Sequence, residues 1–488
     1  MILGILIKKE ITETILDMRF WVVTILFLIL IPLGMYVSRK DYERRLSNYQ
    51  QEHQMYREHY GKDVGPFVEA QGFRPPSLLS IFALGLDPFL PDKAVTSRSG
   101  LVRAAKEPGI DNPESLLFGK ADYLFNVSFI VSLAALIFTF NRISGERERG
   151  TLRMMISGSI RRGEILLAKI VGNYLVLLVP FIIAFLAALI ILNASSVISF
   201  WSSGLWPALL VVILITLLFM LVMVSLGICV STLTQGSMAS IMMLFLVWVM
   251  DVLGIPKISP MIAEAVYPIE SRNVVDLAAR IAREDIEGEF NKKREELFEK
   301  CCTEFGTTWE DIAVEPRTDA EKQAYAKYDR EVLALDSECQ KRVANAIRKL
   351  EQDYRNRSNV QASLAANLSR ISPVSCYTYL ISGLAGTGPA GADKFTENAE
   401  RYQEQVKAAI YDNWVVKIYR MGEPLPNIRV RQAEGFDQSK ASIPEMKYEY
   451  TPIAEVLRAG WIDILLLFVF NILFFAVAFW RFNKYDVR

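Results

Sequence analysis

The sequence predicts a mainly α, polytopic membrane protein: six transmembrane helices with two polar insertions between spans, the second insertion largely helical. Three observations lead there. Hydrophobic residues make up 52% of the 488, yet 22% are charged, which fits a mixture of apolar spans and polar domains better than one uniform globule. Six predominantly apolar runs are each long enough to cross about 30 Å of hydrocarbon. Basic residues gather in one short loop between the second and third runs, which gives the topology a direction.

Residues 1–19 carry Leu3, Ile7, Ile11 and Ile15 at steps of four beside Lys8, Lys9, Glu10 and Glu13. That stripe suits a connecting helix lying in the inner headgroup layer rather than a plain extension of the first span. Residues 20–37 are uncharged and would cover about 27 Å as a helix. Met35, Tyr36 and Val37 lead directly into Ser38, Arg39 and Lys40, with no small-residue cleavage site, so the segment reads as a retained anchor. The other spans are 123–140, 170–192, 205–230, 237–253 and 461–480, the third with its unbroken apolar run from Tyr174. Pro32, Pro180 and Pro207 fall inside or at the ends of these runs, where they kink helices rather than end them.

The loop 141–169 holds Arg142, Arg147, Arg149, Arg153, Arg161, Arg162 and Lys169 against Glu146, Glu148 and Glu164, which places it in the cytoplasm. Lys169, at its edge, is expected to snorkel to the inner surface. Parity puts both termini on that side, and Arg481, Lys484 and Arg488 in the tail 481–488 agree. Around the first span the charges do not choose, since Arg39, Lys40, Arg44 and Arg45 balance Lys8, Lys9 and Arg19. The insertions 38–122 and 256–460 then face outward from a plasma or inner cell membrane.

Within 256–460, Tyr328, Val332, Leu335, Cys339, Val343, Ile347, Leu350 and Tyr354 recur at steps of three and four, the mark of a long amphipathic helix. A rougher helical stretch at 271–300 would pair with it as a hairpin. Cys301, Cys302, Cys339 and Cys376 lie in this insertion, in a compartment that permits disulfides. Three complete pairings are open, although a Cys301–Cys339 bridge fails on distance in a simple hairpin, where the two stand about 28 Å apart.

Several function classes drop out. Lys+Arg and Asp+Glu are 54 each, so the basic footprint of a nucleic-acid binder is missing. His53 and His59, six apart in a charged stretch, do not share a helix face as a zinc pair must; they read as solvated, and no metal site is expected. Gly386-Thr387-Gly388-Pro389-Ala390-Gly391 fits the spacing of a dinucleotide loop, but it carries Pro389, follows no strand and faces away from cytoplasmic nucleotide. It reads as a turn. The sequence contains no G-x-x-x-x-G-K-[ST] phosphate loop and no catalytic carboxylate pair or nucleophile triad that stands out from surface composition, so the chain by itself is not expected to be an enzyme.

The most informative stretch is 143–169. It alternates charge with apolar steps at Leu152, Met155, Ile156 and Ile160, a short helix with an apolar ridge and a basic rim that suits docking into a groove on a soluble partner. Glu146, Gly150, Thr151, Leu152, Ser157, Arg161, Ile165 and Lys169 give this stretch an order that resembles the coupling-helix region of ABC-2-type transporter permeases; Ser159 stands where that family usually has proline. Residues 1–17 are similar to the family's connecting helix. Ser372-Pro373, 384–388, Phe395, Tyr402 and 485–488 resemble a subgroup with large extracytoplasmic insertions, one of them a domain of unknown function.

The resemblance implies one permease subunit of an exporter. A second permease, identical or paralogous, would stand beside it, and two separate ABC ATPase subunits below would hold ATP and Mg, with no cofactor bound by this chain. Glu146, Arg147, Arg149 and Arg153 would then orient the ATPase-coupling contact, Leu152, Met155 and Ile156 would supply its apolar part, and Gly150, Thr151 and Arg161 complete the segment. The alternative is a non-transporting scaffold or force transmitter acting on an extracytoplasmic partner, motivated by the size of the insertions. Asp251, Asp463 and Asn471 are candidates for a cargo path, set against outer-interface exposure for the two aspartates and an interhelical hydrogen bond for Asn471.

Overall fold

The computed structural model describes residues 2–62, 64–65, 67–96, 102–105, 121–156, 160–194, 205–306, 319–419, 427–432 and 441–484. Ser157, Ser159 and the tail 485–488 lie outside them. Helix α1 (Ile2–Ile15) turns through Asp17, whose carboxylate accepts the Arg19 N–H (3.0 Å) and caps α2 (Met18–Tyr60). Helix α2 does not stop at Val37. Nothing from 38 to 60 is glycine or proline, and the pairs Lys40–Glu43 (3.1 Å), Arg44–Asp41 (3.1 Å) and Arg45–Asp41 (3.0 Å) tie successive turns, so the helix runs on until Gly61.

Strands β1 (Ala70–Phe73), β2 (Lys93–Thr96) and β3 (Val102–Ala105) form an antiparallel sheet with Ala70 opposite Thr96 and Lys93 opposite Ala105. The chain re-enters the bundle at Asp122, which accepts the N–H groups of Phe125 and Leu84 (2.8 Å each) and so starts α3 (Tyr123–Glu148). There follow α4 (Thr151–Ile156), α5 (Arg162–Asn193), α6 (Trp206–Leu233) and α7 (Ser237–Val266), the last passing through a π turn at Met250–Gly254. Helices α8 (Arg272–Phe305) and α9 (Asp319–Ser369) make the hairpin, and α10 (Pro373–Ala385) and α11 (Pro389–Ala409) follow it. A ribbon of β4 (Trp414–Tyr419) and β5 (Asn427–Gln432), then α12 (Ile453–Ala459) and α13 (Trp461–Asn483), complete the chain. Among the described residues, the six helices α2, α3, α5, α6, α7 and α13 are long and apolar enough to cross a membrane.

The second insertion is not wholly outside the bundle. Val374, Cys376, Tyr377, Leu380, Ile381 and Leu384 of α10 join the same apolar core as the spans. The Tyr377 ring stacks on Phe219 of α6 with centroids 4.5 Å apart, and its hydroxyl lies 3.1 Å from Thr216 Oγ1, itself 2.8 Å from the Tyr123 hydroxyl. The glycine-rich string is the turn between α10 and α11. Gly386 takes φ +70° to end α10, and Thr387 locks it onto the first insertion, its Oγ1 donating to the Ala83 carbonyl (2.9 Å) while its own carbonyl accepts the Leu86 N–H (2.8 Å). The two insertions therefore share a core: Tyr402 and Tyr411 donate to Gln71 (3.1 Å) and Val68 (2.7 Å) carbonyls, and Val64, Val68, Val406 and Ile410 pack together.

In the hairpin, α8 ascends against α9 through Arg272–Glu351 (3.2 Å), Arg342–Glu289 (3.4 Å) and Arg294–Asp336 (2.6 Å). The expected stripe is the packed face, with Tyr328, Val332, Cys339 and Ile347 buried. The disulfide expectation is corrected: Cys301, Cys302, Cys339 and Cys376 form no disulfide and are buried, and Cys301 serves as a small apolar side chain where it packs with Tyr328 and Val332. Burial raises the Cys301 and Cys339 thiols above the ordinary range, which withholds the reactive thiolate. Gel mobility should accordingly be identical with and without reductant, and maleimide should label these four thiols only after denaturation; a reductant-sensitive shift of the monomer would contradict this.

Candidate coupling site

The charged loop is a hub fastened to five helices. The terminal stretch of α3, Ser144–Glu148, begins where the Ser231 hydroxyl accepts the N–H groups of Ile143 and Ser144 (3.1 Å each). Arg147 donates to the Thr234 carbonyl (2.6 Å) and the Thr232 carbonyl (3.3 Å) at the C-terminal end of α6, while Glu148 accepts the backbone N–H (2.9 Å) and hydroxyl (2.7 Å) of Ser237 at the N-terminus of α7. Each charge sits at the helix end whose dipole it complements. Arg162 does the same for α13, donating to the Asn483 carbonyl at 2.5 Å.

Beneath the loop lies a buried charge set. The Lys169 ammonium donates to Glu10 of α1 (2.9 Å) and to Glu146 of α3 (2.8 Å), with side chains exposed 1%, 4% and 10% respectively. Gly172, one turn along α5, permits the approach of α1, since a Cβ there would fall 2.8 Å from the Glu10 Cβ. Lys169 does not snorkel: its ammonium is buried and turned inward to two carboxylates. Glu10, Glu13 and Glu146 bring one carboxylate oxygen each within 4.8 Å of one another, and the Lys169 ammonium supplies the positive charge there. Arg142 extends the set, donating to Thr14 of α1 (2.6 Å).

On this base stands α4, entered through Gly150 at φ +74°, with the Thr151 hydroxyl reaching back to the Glu146 carbonyl (3.3 Å). Burial sorts its side chains and corrects the expected docking face. Leu152 is 0% exposed and Met154 is 80%. Met155 and Ile156 pack against the core of the spans, so the apolar ridge points inward as the helix's own seat. Glu146 and Arg147 are likewise braces. What remains on the outer surface is Arg149, Gly150, Thr151, Arg153, Met154 and Arg161.

Of the three polar candidates of the spans, Asp463 and Asn471 are engaged through their side chains, while Asp251 is buried with its Oδ2 lacking a hydrogen bond. Asp463 takes both Arg370 Nε (2.6 Å) and Nη2 (3.1 Å) and is 2% exposed, and Asp251 is 5% exposed, with its carbonyl accepting the Ser372 hydroxyl (2.8 Å). Interface exposure is therefore corrected for both: α10 and the turn before it cover them. Asn471 makes the interhelical bond, its Oδ1 accepting from Ser225 (3.1 Å). Residues that sequence reasoning did not single out, Glu10 as a partner, Glu148 and Arg162, carry no local signal except charge adjacent to a helix end.

Six spans clamped together at one end by a charged loop, and covered at the other by two interlocked insertions, define a multi-pass membrane permease. The chain belongs to the ABC-2 family transporter proteins, which it matches over residues 5–487. Over 82 residues, 16% of its length, it is 34% identical to the probable ABC transporter permease protein NosY of Stutzerimonas stutzeri, and the match spans 30% of that protein.

Proposed function

We propose that the chain is the membrane subunit of an ATP-driven exporter, with α4 as the cytoplasmic handle gripped by a separate ABC ATPase. Two ATPase copies would bind ATP and Mg and drive a pair of permeases, both termini of this chain would be cytoplasmic, and the insertions would face outward. The observation that carries this reading is the arrangement of α4: an outward Arg153 and an 80% exposed Met154 on a helix whose base is fastened to α1, α5, α6, α7 and α13. A push on such a handle is delivered to every span it braces, as rigid-body motion of packed helices.

The assembly test separates the two faces of α4. Arg153→Glu with Met154→Asp, both on the outer surface, is expected to leave the folded chain in the membrane and to lower ATPase co-purification and transport-coupled ATP turnover by roughly tenfold or more. Undisturbed assembly and turnover in that variant would overturn the reading. The size of the hairpin favours one alternative, a transmitter that moves the outer insertions against an extracytoplasmic partner without passing cargo; a reconstituted complex that hydrolyses ATP and moves nothing would select it.

A further inference from the structure

Helix α7 leaves the membrane and is prolonged by α8 along the same partner helix. Ser372, just beyond α9, bonds Asp251 of α7, and Gln361 of α9 donates to the Tyr267 carbonyl (2.8 Å) just past α7. Arg272 at the start of α8 then pairs with Glu351 of α9. Both α7 and α8 therefore climb α9 in the same direction. Ser237 to Asp251 rises about 21 Å and Glu351 to Ser369 about 27 Å, so the base of α8 stands well past the ~30 Å of hydrocarbon that lipid covers.

Along this rod an apolar face continues where lipid ends. Met261 and Ile262 of α7 are exposed 68% and 44%, and Val274, Leu277 and Ile281 of α8 are exposed 50%, 52% and 50%. Met261 and the α8 set lie away from the residues buried beside them, Ser259 and Ala263 in α7 and Val275 and Phe290 in α8, while Ile262 borders the buried face one turn from Ser259. The spacing of 274, 277 and 281 is three then four, one heptad of a two-stranded seam with Val274 and Ile281 at one core position and Leu277 at the other, ended by Glu284 at the next core position. We propose that this seam is an interface outside the membrane with a second copy of this chain, packed parallel and in register.

Charge selects that occupant. With Val274 and Ile281 at the a positions, Arg280 falls at g and Asp285 at the following e. In a parallel pair these are the flanking residues that meet across the seam, so each Arg280 faces the other copy's Asp285, twice by symmetry. Both are exposed, and among the described residues neither has an ion-pair partner in its own chain. An antiparallel pairing would set Arg280 against Arg280. Two subunits standing side by side in one membrane, related by an axis along its normal, present their rods parallel, and an isologous contact then places each residue on its own copy.

The inference rests on the two-permease reading and adds a contact to it. The full-length chain with Leu277→Cys, in native membranes, is expected to form an oxidant-dependent homodimer, while Lys341→Cys on the outer face of α9 is not. Adding Asp285→Arg should slow that cross-linking at least about fivefold, and Arg280→Asp together with Asp285→Arg should recover it. Co-purification of two differently tagged copies is measured in parallel. If the tags co-purify but Leu277→Cys stays uncrosslinked, or links to another protein, the seam is wrong while the paired permease stands; if the tags do not co-purify, both fall.

Discussion

Lys169→Met is expected to lower the yield of monodisperse protein extracted from membranes by at least about tenfold, the largest loss from any single substitution at the loop end. The ammonium is 1% exposed and lies between two carboxylates, each of which has a second oxygen, Oε2, without a hydrogen bond. Removing the cation leaves two like charges facing one another out of water. Stranding buried charge in this way costs about 3–5 kcal/mol, a large share of the ~5–15 kcal/mol that separates a folded domain from its unfolded chain. Removing the whole set is a different matter, because neutral groups of similar volume need no counter-charge. The triple variant Lys169→Met, Glu10→Gln, Glu146→Gln should therefore recover most of the yield. A Lys169→Met chain that behaves like the parent, or a triple variant no better than the single one, would show that the set is not what joins α1 to α3 and α5. In the recovered triple variant the helices are packed but no longer tied by charge; under the proposed function, ATP turnover by the partner ATPase is then expected to persist with weaker coupling to transport.

What the sequence reveals and what it hides divide along the range of the interaction. The six spans were legible because an apolar run reports its own environment, and the hairpin because Tyr328 through Tyr354 repeat a stripe within one helix. The extension of α2 past Val37 gave no apolar signal, being held by charge pairs three and four residues apart. Helix α10 is too short to span a membrane, so its membership of the bundle core shows only when Tyr377 is seen against Phe219. Lys169 looked like a snorkelling residue because its partners are 159 and 23 positions away, outside any local window. In α4 the sequence shows apolar residues at 152, 154, 155 and 156, and six residues carry too little periodicity to say which face is inward; packing assigned Leu152 to the core and Met154 to the surface. Arg147 and Glu148 were readable as charges, but not as charges aimed at the ends of α6 and α7.

The second large effect is expected at the opposite end, from Arg370→Ala. Asp463 begins α13 with a side chain 3% exposed, and the Arg370 guanidinium meets it with two donors, at 2.6 and 3.1 Å. That bidentate bond holds the Arg370 pKa above its usual value, and the pair fastens the turn before α10 to the last span. With alanine, Asp463 is left as an uncompensated buried charge at a cost again of about 3–5 kcal/mol. The relief open to the molecule is to lift α10 and admit water. Cys376 reports that movement. In the parent it is fully buried, and burial, reinforced by the Asp463 carboxylate, pushes its thiol up to about 12, so neither small nor large maleimides are expected to label it at neutral pH. In Arg370→Ala it should become accessible, and labelling should rise by at least about tenfold. Arg370→Lys keeps the charge but not the fork, and should fall between the two. Arg370→Met with Asp463→Asn removes both charges and should restore protection. Continued protection of Cys376 in the alanine variant would mean that packing of Tyr377, Leu380 and Ile381 alone holds α10 down, and that the ion pair is incidental to the cover on the bundle.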